Sequence, residues 1–362
     1  MSFSDIKDQE MPLRLLRNIL KQNRVPNGLL FWGPEGVGKR TTALELAKAI
    51  NCKAGDFDAC DACLSCRKVT SGNHPDVKIV APAGKTRIIN VEAIDAITEL
   101  SAYRPFEGKW RAVLIEDADR MNESAQNHFL KTLEEPPSNT LFVLQSYYPN
   151  RLLPTIRSRC QQVRFGALQP ATVSAILRRE HPLDVATADA LAAVAQGQVS
   201  RALDLVTSNK RNMVLDIAAR LNRGDDPLLV SEQFVSQLRE ATEALKAALL
   251  SELEEDASQQ DMSGEDLADQ KKEQEAFIEG QVRRDYLEYL YLFETWYRDV
   301  WVYSTTGDDR LVLNRDQAPA LKQQRGRDYP DKLAAIERAW VYIERNLAFD
   351  RIFRDLFFVL AA

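Results

Sequence analysis

The stretch GPEGVGKRT (Gly33–Thr41) directly follows the apolar run LLFW (Leu29–Trp32) and leads into the helical pattern TTALELAKAI (Thr41–Ile50). A strand, a glycine loop ending in lysine and a helix, in that order, are the setting in which a loop holds phosphate. Gly33, Gly36 and Gly38 let backbone N–H groups curl around an anion. The helix N-terminus adds its positive end, and the Lys39 ammonium is placed to reach the outer phosphates. One position departs from the pattern. The residue after the lysine normally offers a hydroxyl to magnesium, and here it is Arg40. Thr41 does not substitute, because one step along a helix swings a side chain by about 100°. The expectation is a loop that binds nucleotide but is impaired in metal-assisted hydrolysis.

Further along, AVLIEDAD (Ala112–Asp119) is an apolar strand that ends in acids, which is where metal is held and water polarised. Phosphate-loop ATPases usually carry Asp and then Glu there. Here Glu116 precedes Asp117, and a displacement of about 1 Å at such a site is costly in catalysis. Other short apolar runs, VKIVAP, TLFVLQS (Thr140–Ser146) and residues 161–168, alternate with helical patterns such as SAQNHFLKTLEE, which Pro136 and Pro137 stop. This alternation to residue 166 predicts an α/β domain with a mainly parallel sheet. After Pro170 only helical patterns follow.

Four of the five cysteines fall close together, as Cys52, Cys60, Cys63 and Cys66. Two overlapping C-x2-C steps with a fourth thiol nearby fit tetrahedral zinc, and four thiolates with no open position make a structural site. Cys160 lies outside it.

The formal charge of −6 is unevenly spread. Residues 252–275 hold ten acids against Lys271 and Lys272, a net −8 that leaves +2 for the rest of the chain. The body is therefore near neutral, which disfavours free-standing duplex binding through a basic field. The acidic segment reads as a solvated, flexible loop between helices. The aromatic run RRDYLEYLYLFETWYRDVWVY and the stripe Leu333, Ile336, Trp340, Ile343, Leu347 read as helical core faces. Residues 304–318 read as a loop. No run reaches the ~20 apolar residues a bilayer crossing needs, and the first residues lack a signal-peptide pattern, so a cytoplasmic chain with no membrane partner is expected. In LLPTIRSRC (Leu152–Cys160), Arg157 and Arg159 are open to two readings, as solvated charges or as a finger that reaches a neighbour's phosphate.

Taken together, the phosphate loop, the four-cysteine insert, EDADRMN, NHFLKTLEEPP and LLPTIRSRC resemble the clamp-loader branch of the AAA+ ATPases, in particular the bacterial DNA polymerase III clamp loader. The resemblance covers essentially residues 1–220. It implies an AAA+ α/β domain over 1–166 with a zinc insert at 52–66, a small helical lid over 167–223 and an all-α collar over 224–362. It implies as partners the gamma/tau motor subunits, the delta subunit, the sliding clamp and primer–template DNA. In that family the arginine of Ser-Arg-Cys, here Arg159, completes the ATP site of an adjacent motor in trans. Ser146 stands where motors carry a Thr or Asn sensor, and Ser200, one place before Arg201, stands at the second-sensor position. Four departures at one ATP site beside an intact finger imply a stator that holds ATP, if at all, as a static ligand, with no settled place for Mg2+. Two rivals are an active gamma-type ATPase that tolerates Arg40, and a stand-alone zinc-binding DNA-processing factor.

Overall fold

The computed structural model describes residues 2–55, 57–82, 88–260, 264–324, 328–345 and 347–362. The chain divides into two compact units. Among the described residues the first comprises 2–82, 88–173 and 196–200, and the second comprises 174–195 and those from 201 to 362.

The first unit is built on five strands: β1 (Gly28–Trp32), β2 (Val77–Val80), β3 (Arg111–Ile115), β4 (Thr140–Ser146) and β5 (Gln161–Arg164). They form one sheet in the order β2-β3-β4-β1-β5, and every pairing is parallel. The three central strands are almost continuously apolar because both of their faces are covered, as a parallel sheet with helical crossovers requires. β3 and β4 are buried along their whole length, whereas the edge strands β2 and β5 carry exposed residues. The sheet expected from the sequence is therefore present.

Helices Glu10–Lys21, Lys39–Asn51, Val91–Ala102, Glu123–Glu134 and Pro154–Arg159 accompany the sheet. Asn90 and Asn122 cap two of them, each side chain accepting an N–H three residues on. Phe129 of the Glu123–Glu134 helix meets Phe142 of β4 edge to face, with ring centroids 5.2 Å apart. A buried polar knot joins the ends of β2 and β3. The Asp76 carboxylate accepts the N–H groups of Phe106, Glu107 and Gly108 at 2.6, 2.9 and 2.8 Å and lies 3.5 Å from the Arg111 guanidinium.

The second unit is helical, its longest elements being Pro227–Gln260 and Gly264–Thr306. Its core is aromatic: the Phe234 ring lies within 4.9–6.4 Å of those of Tyr289, Phe293, Phe353 and Phe357. The aromatic run thus packs inward, with Tyr286, Tyr289, Phe293, Trp296, Tyr297 and Val300 buried at helical spacing. Ile336 and Ile343 of the later stripe are buried as well, whereas Leu347 is exposed. Two short 3-10 turns, Asp309–Leu311 and Arg315–Gln317, lie within the loop expected over 304–318. Asp299 anchors it by accepting the N–H groups of Leu313 and Asn314.

One expectation is overturned for most of its span. Residues 252–260 and 264–275 are helical and extend the two long helices, so they are not a flexible loop; 261–263, which the expectation also covered, lie outside the described residues. The physical reason is composition: the acidic stretch is rich in Glu, Ala, Leu, Gln and Lys, which are strong helix formers, and holds no proline. Among the described residues no helix is long and apolar enough to cross a membrane.

The Asp76 knot predicts a defined acid limb. Burial pushes the Asp76 carboxyl up, but the three N–H donors and Arg111 outweigh it, so its folded value lies below the ordinary one. Its stabilisation is therefore complete above about pH 4 and fades as pH falls through the lowered folded value. Asp76→Ala, which removes the acceptor of three N–H groups and the carboxylate beside the buried Arg111 guanidinium, is expected to cost about 3–5 kcal/mol in urea unfolding at pH 7. The variant's stability should also fall less steeply than that of the parent chain in acid.

Candidate phosphate loop and cysteine centre

Because β1 and its parallel neighbours run the same way, their C-terminal ends meet at one edge of the sheet, where open α/β sheets bind ligands. The loop 33–38 leaves β1 there, Glu116 and Asp117 leave β3, and Ser146 closes β4. Gly33 N–H donates to the Ser146 carbonyl at 3.3 Å. Loop shape depends on two glycines in particular. Gly36 has φ +66° and is so close to Ser200 that a Cβ there would come within 2.4 Å of the serine hydroxyl. Gly38 has φ +95° and caps the Lys39–Asn51 helix, and a Cβ there would meet nothing within 4 Å. The loop is thus packed on one side and open at the helix N-terminus.

Lys39 is almost fully buried. Its ammonium donates to the Gly33 and Pro34 carbonyls at 2.6 and 2.5 Å and lies 4.0 Å from the centre of the Tyr147 ring. Burial lowers its pKa to about 8, against the pull of Glu35, Asp117 and Asp119. Tyr147 is fixed in turn, its N–H donating to Asp119 at 3.2 Å.

The two departures from the loop pattern meet each other. Arg40 Nε lies 2.6 Å from Glu116 Oε1. Burial and the neighbouring Asp117 raise the Glu116 pKa, while Arg40 pulls it back down. The donor set does not fit magnesium. The position that should offer a hydroxyl carries a cation, and that cation engages the first carboxylate of the acidic strand end. Asp117 adopts a left-handed backbone, φ +46°. Ser146 is fully buried, and its hydroxyl has no hydrogen-bond partner among the described atoms.

The four cysteines do come together. The sulfurs of Cys52, Cys60, Cys63 and Cys66 all lie within 4.8 Å of one another. Tetrahedral zinc with Zn–S bonds of about 2.3 Å needs sulfurs about 3.8 Å apart, so the set fits the ion. Backbone N–H groups point at the sulfurs, Gly55 to Cys52 at 3.1 Å and Cys63 to Cys60 at 3.3 Å. Burial raises the Cys66 thiol to about 12. At Cys63 burial is outweighed by the N–H groups of Lys53 and Cys66 and by the neighbouring thiols, which bring it to about 6. Lys48 ties this insert to the loop's helix, its ammonium lying 2.9 Å from both Glu45 and Asp61. Cys160 sits elsewhere, in the core beneath the sheet, where burial raises its pKa to about 12.

Arg159 ends the Pro154–Arg159 helix and is partly exposed, while Ile156 and Cys160 on either side of it are buried. Its guanidinium lies 2.5 Å from Glu134 and donates to the Thr155 carbonyl at 3.2 Å. Arg157 instead donates to Asn150 at 2.9 Å. Arg201, one place beyond Ser200, pairs with Glu288 at 3.1 Å within the second unit. Sequence reasoning missed Tyr147, Lys48, Glu134 and also Gln9, whose amide donates to the Val37 and Gly166 carbonyls. Glu134 lies within NHFLKTLEEPP, but the motif does not announce its pairing with Arg159, and a long-range polar contact leaves no periodic trace in a sequence.

The cysteine geometry predicts one zinc per chain, measurable by release to a colorimetric chelator. Cys60→Ser and Cys66→Ser should each abolish stoichiometric binding, while Cys160→Ser leaves it intact. Retention of the metal by both ligand variants would rule the cluster out as its site.

The chain is similar to subunits of DNA polymerase III. The family model described as "DNA polymerase III, delta subunit" matches residues 8–169. The delta' subunit of DNA polymerase III from Bacillus subtilis strain 168 is 39% identical over 165 residues, covering 46% of this chain and 50% of its own length. The delta' subunit of Pseudomonas aeruginosa is 37% identical over 134 residues, covering 37% and 41%. The tau subunit of Escherichia coli K12 is 34% identical over 210 residues, covering 56% and 32%. The chain thus spans at most about half the length of these relatives. Residues 8–169 are therefore similar to the DNA polymerase III delta-subunit family, and both delta' and tau subunits of DNA polymerase III are among the relatives of this chain.

Proposed function

We propose that this chain is the stator, the delta-prime type of subunit, of a DNA polymerase III clamp loader, and that it does not hydrolyse ATP itself. The observation that carries this reading is the Arg40–Glu116 ion pair. It engages two of the positions from which a working site would hold its metal, and the catalytic role proposed for this chain is instead that of Arg159, toward a neighbouring site.

In this reading Arg159 is the finger that completes the ATP site of an adjacent gamma/tau motor. A guanidinium suits that task because its planar fork meets the charge developing on a transferring phosphoryl group. The Glu134 pair gives it a resting partner at little cost, since an ion pair this exposed is worth about 0–1 kcal/mol. The zinc centre, with Lys48 bridging Glu45 and Asp61, is a structural brace for the loop's helix. A nucleotide at the loop is a static ligand. The helices over 167–223 act as a lid and those over 224–362 as the collar that joins the assembly. The delta subunit, the sliding clamp and primer–template DNA are the further partners, and the cytoplasm is the compartment.

Turnover by a reconstituted loader tests this directly. Arg159→Ala should lower catalysis at the one motor site it completes by about 10³-fold or more, so total turnover falls to the share of the other sites. Lys39→Ala should leave turnover near normal. If Lys39→Ala instead removes a motor's share, the chain is a working gamma-type ATPase and the stator reading is wrong.

A further inference from the structure

We propose that the loop takes a nucleoside diphosphate without magnesium, with the Arg40 guanidinium in place of the divalent cation. The inference rests on the reading of 33–41 as a nucleotide loop and goes beyond it in naming the ligand and its metal independence.

Three observations carry it. First, Arg40 and Glu116, which the sequence presents as two separate losses, form one pair at 2.6 Å. A site that had simply decayed has no need to match a cation at one metal position with an anion at the other. Second, Arg40 meets Glu116 through its Nε, and the side chain is 65% exposed at the loop. A guanidinium has five N–H donors in a fixed fork that matches phosphate oxygens, so donors remain for a ligand. The open face at Gly38, where an added Cβ would meet nothing within 4 Å, lies directly beside it.

Third, the outermost phosphate of a triphosphate has lost its usual partners. The Lys39 ammonium is occupied by the Gly33 and Pro34 carbonyls and covered by the Tyr147 ring. Glu35, Asp117 and Asp119 act on that ammonium too, so its charge is already partly balanced within the protein. A guanidinium carries half the charge of magnesium, and it therefore balances a diphosphate better than a triphosphate.

The test uses the full-length chain and a fluorescent ADP, titrated in EDTA and again in excess magnesium. The two dissociation constants are expected to agree within about threefold, with the corresponding ATP analogue binding more weakly in EDTA. Arg40→Ser, which restores a hydroxyl, should weaken binding in EDTA by about tenfold or more and make it magnesium-dependent. Glu116→Gln, which frees the guanidinium and removes a carboxylate, should tighten metal-free binding. If ADP binds the parent chain only with magnesium, or Arg40→Ser leaves the EDTA value unchanged, the metal-replacement idea is overturned while the nucleotide reading stands. Tighter binding of ATP than of ADP in EDTA overturns the diphosphate preference. No binding of either probe in either buffer overturns the nucleotide reading itself.

Discussion

Parallel pairing of β1 between β4 and β5 is the constraint on which the rest of the first unit depends. In a parallel sheet every strand ends on the same side, and a right-handed helical crossover must return the chain before the next strand begins. The loop after β1, the acids after β3 and the serine that ends β4 therefore share one edge without any contact among them to bring this about. Side-chain chemistry then acts on a framework that is already fixed. The buried, apolar central strands supply that framework, and they carry polar residues only near their ends, as Arg111 of β3 and Thr140, Gln145 and Ser146 of β4.

Legibility followed the same division. The strands and the loop were readable because apolar runs bounded by glycine and proline have few other meanings. The cysteine centre was readable because thiol spacing carries its own geometry. The acidic stretch misled because a strong net charge reads as solvation, whereas its Glu, Lys, Ala and Leu residues make helix locally, and local propensity prevailed. The Arg40–Glu116 pair was invisible for a different reason. Each residue departs from the motif at its own place, 76 positions apart in the sequence, and only the sheet brings them to one point.

The second unit shows the converse case. Its aromatic run carries no motif, yet burial of a helical face accounts for five of its eight rings, while Trp301 is exposed. Its polar anchors, Asp299 under the 304–318 loop and Arg211 paired with Asp316 at 2.6 Å, fix irregular backbone that helix periodicity says nothing about. In both units, then, the apolar pattern determines where elements lie, and isolated buried charges determine how the segments between them are held.

Gly28, the first residue of β1, packs so tightly that a Cβ there would come within 3.0 Å of the Cys160 sulfur and 3.4 Å of the Arg159 carbonyl oxygen. The strand it starts ends at Trp32, and the phosphate loop follows at once. Arg159 and the loop are thus mounted at opposite ends of one five-residue strand, about 16 Å long at 3.3 Å per residue. That strand works as a rigid spacer between the two. If Arg159 serves a neighbour as proposed, such a chain does not give its arginine to a like chain's loop and receive one in return across the same patch. The proposed contact is then directional, and a row of such chains would have a polarity, with a first member and a last.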